Sequence, residues 1–267
     1  MEDNKKQEEE PVQDDKLMES NFEGSVESFD ELNLKPELLR VIYVYGFEKP
    51  SIIQQKAILP IIQGYDVIAQ AQSGTGKTAA FAIGTLQLVD PTKDEIQCLI
   101  LSPTRELAHQ TSIVYSFLGE YLKVKVTLLI GGTKLGADID KLKEGPQVLV
   151  GSPGRVKDLI KRKKITLSYL NSFVLDEADE MLSKGFLEMI REIISIIPTT
   201  AKILLFSATM TKEVVEMTTK FMKDPAKILV KNEELTLEGI KQYYVYLKKE
   251  DKLDILFQIY RGIEIAQ

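Results

Sequence analysis

The segment Ala71–Thr78 has the residue types and spacing of a phosphate-binding loop, although its first position is alanine instead of the glycine of the stricter pattern. Gly74 and Gly76 let backbone amides approach phosphate oxygens, because no side chain stands in the way. Lys77 adds a full positive charge, and Thr78 adds a hydroxyl that can coordinate magnesium. We therefore predict that the loop binds ATP with Mg2+ through Ser73, Gly74, Thr75, Gly76, Lys77 and Thr78.

An acidic run from Asp176 to Asp179 directly follows the apolar residues Phe173–Leu175. Hydrolysis of a bound nucleotide needs carboxylates that hold magnesium and orient the attacking water. Asp176 would reach the hydrated magnesium, and Glu177 would position or deprotonate the water. A solvated helix start is the alternative, since carboxylates favour helix N-termini. The predicted catalytic residues are Lys77, Asp176 and Glu177.

Short apolar runs alternate with helical patterns along the chain. The first helical pattern begins at Pro36 and ends before Gly46, and two others cover residues 51–63 and 79–89. The apolar runs are Val67–Gln70, Cys98–Leu101, Val124–Ile130, Val148–Val150, Phe173–Leu175, Ile203–Phe206 and Ile228–Val230. Such runs predict an α/β fold with a parallel sheet of about seven strands, because crossover helices cover both faces of the sheet. Ligands bind beyond the carboxyl ends of these strands, where both candidate sites lie.

The acidic residues are concentrated at the start of the chain. The net charge of the 267 residues is -6, but residues 1–32 carry twelve acidic residues and three lysines, a balance of -9, which leaves +3 for residues 33–267. Residues 1–26 contain too little apolar surface to offset the entropy of ordering, and we predict a disordered acidic tail there. The mildly basic remainder is compatible with a nucleic-acid ligand.

The apolar runs and the single cysteine indicate which classes of protein the chain does not resemble. No apolar run has the length of a membrane span or the pattern of a signal peptide. The single cysteine, Cys98, cannot form an internal disulfide and is predicted to be a buried strand residue in a protein of a reducing compartment. Residues 240–247 resemble a strand and residues 251–263 a helix, too little for a core. We predict that residues 234–267 are a linker and the start of a truncated second domain.

The run from Asp176 to Asp179 spells the signature of the DEAD-box RNA helicases, which this chain resembles over residues 29–267. Further matching segments follow in the order typical of that family: Phe29, residues 46–51 with Gln54, residues 103–108, residues 131–132, residues 152–155 and residues 207–209. The resemblance implies a RecA-like P-loop NTPase domain. It places a Q motif at residues 27–55 and the ATP-binding domain at residues 56–233.

The resemblance also implies a nucleotide base site. Gln54 would read adenine, since a carboxamide donates and accepts at once and suits the edge of that base. Phe29 and Phe47 would pack near the ring, and Lys49 belongs to the same predicted site. Without the resemblance, a solvated helix residue would be the simpler interpretation of Gln54.

Two segments that follow predicted strands and begin helices are expected to grip RNA phosphates. The resemblance assigns RNA binding to Pro103, Thr104, Arg105, Gly131, Gly132, Ser152, Pro153, Gly154 and Arg155. Contacts with the sugar-phosphate backbone carry no base code, so we predict sequence-independent binding. Ser152 replaces the threonine more common in the family but keeps the hydroxyl. Lys161–Lys164 could extend this basic surface, although a solvated helix end is the favoured interpretation.

The segment Ser207, Ala208 and Thr209 follows a predicted strand, and the resemblance implies that it couples hydrolysis to duplex separation through Asp179. A Ser-His-Asp nucleophile would have to use His109, the only histidine, which we predict to be a surface residue.

The resemblance implies an ATP-dependent RNA helicase. Within the family, residues 45–50, 176–182 and 234–240 are similar to the branch that acts in translation initiation, with a nuclear exon-junction paralogue as the alternative. Translation initiation scaffold proteins, a monomeric state and a cytoplasmic location are expected on this basis. The family supplies its arginine finger from a second lobe. We therefore expect this chain alone to bind ATP weakly and to unwind RNA little or not at all. An RNA-binding or protein-binding half without catalysis is the alternative.

Overall fold

The computed structural model describes residues 20–183, 185–229 and 243–262. The chain divides into two compact units, Met1–Lys231 and Asn232–Gln267. The first unit contains a parallel sheet of seven strands in the order β3-β4-β2-β5-β6-β1-β7. The strands are β1 Val67–Gln70, β2 Cys98–Leu101, β3 Val126–Leu129, β4 Val148–Gly151, β5 Ser172–Leu175, β6 Lys202–Ser207 and β7 Ala226–Leu229.

Helices connect the strands and cover the sheet. They are α1 Pro36–Val44, α2 Ile52–Ile62, α3 Lys77–Leu88, α4 Arg105–Gly119, α5 Leu135–Leu142, α6 Pro153–Lys161, α7 Ala178–Ser183, α8 Leu187–Ile194 and α9 Lys212–Phe221. A 3-10 helix, Phe29–Leu32, precedes α1. Every residue of β2, β4 and β5 is buried, as expected for strands with helices on both faces. The predicted α/β fold with a seven-stranded parallel sheet is confirmed.

Asp66, the residue before β1, joins three parts of the sheet. Its carboxylate accepts hydrogen bonds from the backbone amides of Ile203 (2.8 Å) and Lys223 (2.9 Å). Its carbonyl accepts from the amide of Ala226 at 2.8 Å. A buried carboxylate satisfied by backbone donors is stable in this position. These bonds align the starts of β6 and β7 with β1, and so align the carboxyl ends where the site lies.

The N-terminal segment lies along the outer edge of β7. Asn21 accepts a hydrogen bond from the amide of Lys227 at 2.7 Å, and the Ser20 hydroxyl accepts one from the amide of Leu229 at 3.0 Å. Val26 is buried and donates its amide to the Gln55 carbonyl at 3.2 Å. Residues 20–26 therefore belong to the folded unit, in contrast to the predicted boundary of the tail. Composition could not reveal this, because these contacts depend on an open strand edge. Residues 1–19 lie outside the described residues.

The described part of the second unit contains a 3-10 helix, Lys249–Asp251, and the helix α10, Lys252–Gly262. The helix predicted over residues 251–263 is therefore present. The strand predicted over residues 240–247 is wrong for residues 243–247, which have no strand pairing. Strand structure requires a partner for its backbone groups, so an apolar run alone does not produce it. Residues 240–242 lie outside the described residues.

Candidate active site

The phosphate-binding loop connects the end of β1 to the start of α3. Its beginning is fixed by a hydrogen bond from the Ala71 amide to the Ser207 carbonyl at 3.0 Å. Gly74 and Gly76 have φ angles of 84° and 97°, a left-handed conformation that disfavours any side chain. Lys77 is the first residue of α3, so the positive end of the helix dipole points into the loop. The predicted strand-loop-helix context of this segment is present.

Gln54 links the start of α2 to this loop. Its side-chain oxygen accepts from the Ser51 amide at 2.9 Å, and its side-chain nitrogen donates to the Gly76 carbonyl at 3.3 Å. Gln54 is only 2% exposed, so the alternative of a solvated helix residue is wrong. A side chain at Gly76 would place its Cβ 2.6 Å from the Gln54 nitrogen, so this contact also requires glycine. The reading of adenine by Gln54 stays a prediction.

The two phenylalanines predicted near the base differ in exposure. Phe29 is fully buried, with its ring centre 6.2 Å from that of Phe47. Phe47 is partly buried and stacks on Tyr45 at a distance of 4.9 Å. Lys49 is exposed. Phe29 therefore supports the position of Phe47 from the core, while Phe47 and Lys49 retain surface that a ligand could contact.

Glu177 faces the phosphate-binding loop. Its carboxylate lies 3.1 Å from Lys77 Nζ and accepts a hydrogen bond from the Ser73 hydroxyl at 3.0 Å. Lys77 is only 4% exposed. Glu177 has a φ of 49°, which is uncommon for a residue with a side chain and is found mainly at functional or strained positions. The structure thus brings Glu177 to Ser73 and Lys77, which precede it by about a hundred positions in the chain.

Asp176 is buried beside this cluster at the end of β5, and its amide donates to the Leu101 carbonyl at 3.0 Å. Burial, together with the negative charge of Glu177, raises the pKa of Asp176 to about 7, although Lys77 opposes the shift. A divalent cation beside this carboxylate would favour its charged form. Among the described residues, no group of three or more His, Cys, Asp or Glu could hold a metal. The Thr78 hydroxyl and the Asp176 carboxylate are oxygen donors of the kind that magnesium accepts beside water and phosphate oxygens.

Asp179, at the start of α7, is bonded to the segment after β6. Its carboxylate accepts from the Thr209 amide at 3.0 Å and from the Thr209 hydroxyl at 2.6 Å. Its amide donates to the Ser207 hydroxyl at 3.3 Å, and that hydroxyl donates to the Thr209 carbonyl at 2.7 Å. Burial would raise the pKa of Asp179, but the hydrogen bonds from Thr209 and Ser207 outweigh it and lower the pKa. This contact connects the acidic run to β6.

A cavity of about 440 Å³ adjoins the cluster of Glu177 and Asp179. It is lined by Ser73, Leu107, Glu177, Asp179, Glu180, Ser183, Ala208, Thr209 and Thr211. Three of the four predicted coupling residues, Asp179, Ala208 and Thr209, therefore line one cavity with the predicted catalytic Glu177.

A second cleft, of about 660 Å³, lies where β2, β3 and β4 end. Its lining residues are Pro103, Thr104, Arg105, Glu106, Gly131, Ser152, Gly154, Arg155, Asp158 and Phe186. Seven of the nine residues predicted to bind RNA line this cleft. Of the other two, Gly132 lies against Arg105, since a Cβ there would be 2.6 Å from Nη1, and Pro153 is buried as the first residue of α6. The sheet thus gathers segments that are distant in sequence.

Two helices begin at this second cleft. The Thr104 hydroxyl accepts from the Leu107 amide at 3.2 Å and caps the N-terminus of α4. Ser152 precedes α6, whose first residue is Pro153, a favoured residue at that position. The first amides of a helix lack partners within the helix and carry partial positive charge, which suits a phosphate group. The cleft therefore has the chemistry of a site for a sugar-phosphate backbone.

Comparison with known proteins identifies the family of the chain. The sequence pattern of the DEAD/DEAH box helicase family matches residues 51–218, more than half of the chain. The chain belongs to this family. It is 55% identical over 251 residues to proteins named ATP-dependent RNA helicase eIF4A in the fungi Chaetomium globosum and Neurospora crassa, and the match covers 94% of this chain. The chain spans 63% of the length of these relatives.

Solved structures of DEAD-box proteins have the same fold. A DEAD box protein of the hyperthermophile Methanococcus jannaschii is 37% identical, with a TM-score of 0.74 over 89% of this chain and 64% of that protein. Saccharomyces cerevisiae Dbp5, solved bound to RNA and ADP BeF3, is 38% identical, with a TM-score of 0.78 over 88% of this chain and 60% of that chain. The predicted RecA-like architecture and the predicted DEAD-box membership are confirmed.

The DEAD-box chain contains a contact that the sequence did not predict. Arg155 donates to the buried carboxylate of Asp138 at 2.7 Å and to the Thr133 carbonyl at 2.9 Å. Neither Asp138 nor Thr133 belongs to the motifs recognised above. The only sequence signal is an acidic residue within the short amphipathic segment that forms α5, and such residues are usually solvated. Only the folding of α5 against the cleft gives Asp138 its partner.

Three minor expectations for this DEAD-box chain have clear outcomes. His109 is exposed, as predicted. Cys98 is fully buried, and burial raises the pKa of its thiol to about 12, so it is inert as predicted. Lys161–Lys164 are exposed where α6 ends, and Arg162 pairs with Asp158 at 2.9 Å, which agrees with a solvated helix end. Within the described residues, no helix has the length and apolar character to cross a membrane.

Proposed function

We propose that this chain is the ATP-binding lobe of an ATP-dependent RNA helicase, in which RNA stimulates ATP hydrolysis and hydrolysis drives local separation of RNA duplexes. One observation carries the proposal. The cluster of Ser73, Lys77 and Glu177 and the cleft lined by Arg105 and Arg155 lie at the carboxyl edge of one sheet. A nucleotide site and a backbone-binding site on one rigid element are what such coupling requires.

The chemistry follows from the residues of the first site. Backbone amides of the phosphate-binding loop and Lys77 bind the terminal phosphates of ATP, in a site that excludes water from Lys77. Glu177 orients the attacking water and accepts its proton. Thr78 and Asp176 would hold magnesium, which supplies electrostatic stabilisation of the phosphate charge. In the absence of ligand, Ser73 and Lys77 hold Glu177 in place.

The coupling step rests on Asp179. Its bonds to Thr209 join the acidic run that carries the catalytic glutamate to β6. A shift of Asp179 on hydrolysis moves the segment Ser207 to Thr209, of which Ala208 and Thr209 line the same cavity. Transmission through a contiguous hydrogen-bond network of this kind is the physical basis of the proposed coupling.

We further propose that the parent protein acts in translation initiation. The proposal is supported by 55% identity to the fungal proteins named ATP-dependent RNA helicase eIF4A. Translation initiation scaffold proteins would then be its partners, and it would act as a monomer in the cytoplasm. Recovery of exon-junction proteins in place of initiation factors with the tagged chain would favour the nuclear paralogue.

The activity of the lone chain is a separate proposal. The chain spans 63% of the length of its curated relatives. An arginine finger, worth roughly a thousandfold or more in the rate of phosphoryl transfer, comes from the second lobe in this family. We therefore propose weak ATP binding and little or no unwinding by the chain in isolation. Unwinding of a labelled RNA duplex by the purified 267 residues would contradict this.

The test of the proposed function is RNA-stimulated phosphate release, measured for this chain and for any longer product of the same gene. We expect Lys77→Ala to abolish ATP binding, and Glu177→Gln to retain binding but lose phosphate release. Lys143→Ala and Glu188→Gln are matched controls, because both residues form only exposed ion pairs. In a product that carries both lobes, phosphate release that does not respond to RNA, or a preference for single-stranded DNA, would refute the proposal.

A further inference from the structure

Asp138 is a buried carboxylate beside the cleft that we propose for RNA. It lies on α5, is 1% exposed and pairs with Arg155 at 2.7 Å, while Arg155 is 12% exposed. The ion pair between Asp140 of the same helix and Lys143 differs in kind: its length is 2.8 Å, and both side chains are more than 70% exposed. A buried pair is stable only when its geometry is good and its remaining polar atoms are satisfied.

Thr133 completes the surroundings of this carboxylate. Its hydroxyl lies 3.2 and 3.0 Å from the two oxygens of Asp138, and it can donate to either of them or to the Ile130 carbonyl at 2.9 Å. The carbonyl of Thr133 accepts from Nη2 of Arg155 at 2.9 Å. Asp138 and Thr133 therefore bind two nitrogens of one guanidinium group, which fixes its plane.

Arg155 has donors beyond those that bind Asp138 and Thr133. A guanidinium group has five N–H donors, and the contacts with Asp138 and Thr133 use two of them. Arg155 also lines the cleft shared with Arg105 and the N-termini of α4 and α6. Separation of Arg155 from Asp138 would leave a negative charge buried without a partner, so the pair resists opening. The donors left over are thereby held in a fixed orientation at the cleft.

We propose that Asp138 is a positioning residue for RNA, which acts through Arg155. The proposal rests on the proposed function, since it assumes that the cleft binds a sugar-phosphate backbone. Asp138 holds the guanidinium so that its free donors meet a phosphate, and Thr133 holds the carboxylate. Orientation matters because a planar guanidinium gives specific geometry only when it approaches a phosphate with its edge.

The direction in which Asp138→Asn changes RNA affinity distinguishes positioning from simple electrostatics. Asp138→Asn removes a negative charge near the RNA, and charge alone predicts tighter binding because the ligand is a polyanion. Positioning predicts the opposite, because Arg155 loses its charged partner and its fixed orientation. We expect Asp138→Asn to weaken binding of a fluorescein-labelled single-stranded RNA about tenfold, as measured by anisotropy at two salt concentrations.

Asp140→Asn is the matched control, with the same change of charge on the same helix at an exposed residue. We expect it to bind the RNA as tightly as the wild type or more tightly. ATP affinity, measured with a fluorescent nucleotide, should be unchanged in both variants, whereas a general loss of structure would reduce it. In the background of Arg155→Ala, Asp138→Asn should weaken RNA binding no further, because Asp138 acts through Arg155.

Thr133→Val provides a second variant that keeps all charges and the backbone carbonyl, and we expect it to weaken RNA binding about threefold through the loss of the hydroxyl contact. If Asp138→Asn fails to fold, the RNA affinity of Thr133→Val tests the inference instead. Wild-type RNA affinity in Thr133→Val, or in a folded Asp138→Asn, would overturn this inference but leave the proposed function intact. Failure of the wild type to bind RNA at low salt would overturn the proposed function and this inference with it.

Discussion

At the scale of single residues, Asp176 carries a charge that the ligand-free protein accommodates poorly. Its carboxyl group is buried beside Glu177, and its pKa of about 7 lies above the usual value of 3.8. The folded protein therefore holds a proton that the unfolded chain has already released between about pH 4 and pH 7. The unfolded state binds fewer protons in this window, so this group lowers stability as pH rises through it. Magnesium and nucleotide would offset the unfavourable charge.

We predict that Asp176→Asn raises the free energy of unfolding of the ligand-free protein at pH 8 by about 2–4 kcal/mol, with little gain at pH 4. The asparagine is neutral at both values, so the difference from the wild type should appear as pH rises from about 4 to 7. Urea unfolding in the presence of a chelator at several pH values measures this. Asp140→Asn, which makes the same substitution at an exposed position, is the control. Parallel profiles for Asp176→Asn and the wild type would contradict the assigned pKa.

At the scale of elements, the phosphate-binding loop is shaped by the helix in front of it as well as by its own glycines. The start of α2 presents Ser51 and Gln54 to the backbone of Gly76. The side-chain amide of Gln54 therefore bonds both to Ser51, at the cap of α2, and to Gly76 in the loop. A change in the loop conformation on nucleotide binding would be transmitted to α2 through this contact.

We predict that Gly76→Ala abolishes ATP binding, because φ is 97° and the added Cβ would lie 2.6 Å from the Gln54 nitrogen and 3.0 Å from the Ser51 hydroxyl. Gly136→Ala is the matched control, since Gly136 is helical and a Cβ there meets no atom within 4 Å. We expect the control to retain ATP binding and to raise stability by about 0.5–1 kcal/mol. Titration with a fluorescent nucleotide checks the first result, and thermal unfolding the second.

The link between α7 and β6 is a second element-scale feature. Thr209→Val removes the 2.6 Å hydroxyl bond to Asp179 but keeps the bond from the backbone amide. In the helicase-competent protein, we predict that ATP hydrolysis stays within about threefold of wild type while unwinding falls about tenfold or more. Thr219→Val is the control, because its exposed hydroxyl bonds only to its own helix. An equal loss of both activities would argue against a coupling role.

At the scale of the whole folded unit, the sheet has an edge strand that the N-terminal segment covers. An open strand edge presents unpaired amides and carbonyls, and Ser20 and Asn21 satisfy several of those on β7. Because β7 is next to β1, which carries the phosphate-binding loop, this covering supports the side of the sheet where the nucleotide site lies.

We predict that Asn21→Ala accelerates amide hydrogen exchange at Lys227, since the Asn21 oxygen accepts that amide at 2.7 Å. The amide of Ala226, bonded to the Asp66 carbonyl at 2.8 Å, should exchange as in the wild type. The expected loss of stability is about 1 kcal/mol. Unchanged exchange at Lys227 would show that the segment does not protect the strand edge.

The sequence by itself determined the sheet, the phosphate-binding loop and the acidic run. These features depend on residues close together in the chain: an apolar run predicts a buried strand, and glycines beside a lysine predict a phosphate site. All seven strands were predicted within a few residues of their bounds. The largest shifts are two residues, at the start of β3 and at the start of β7, which begins at Ala226. Its pairing with Val67 of β1, which the sequence does not reveal, sets that start.

The tertiary structure alone decided which distant residues meet. The order of the strands brings Glu177 to Lys77 at 3.1 Å, and the position of α5 gives Arg155 its partner Asp138. Tertiary contacts also place Ser20 and Asn21 along the edge of β7, whereas residues 243–247 have no strand partner. The physical reason is that pairing and burial of polar groups depend on long-range packing, whereas propensity and periodicity are local properties of the chain.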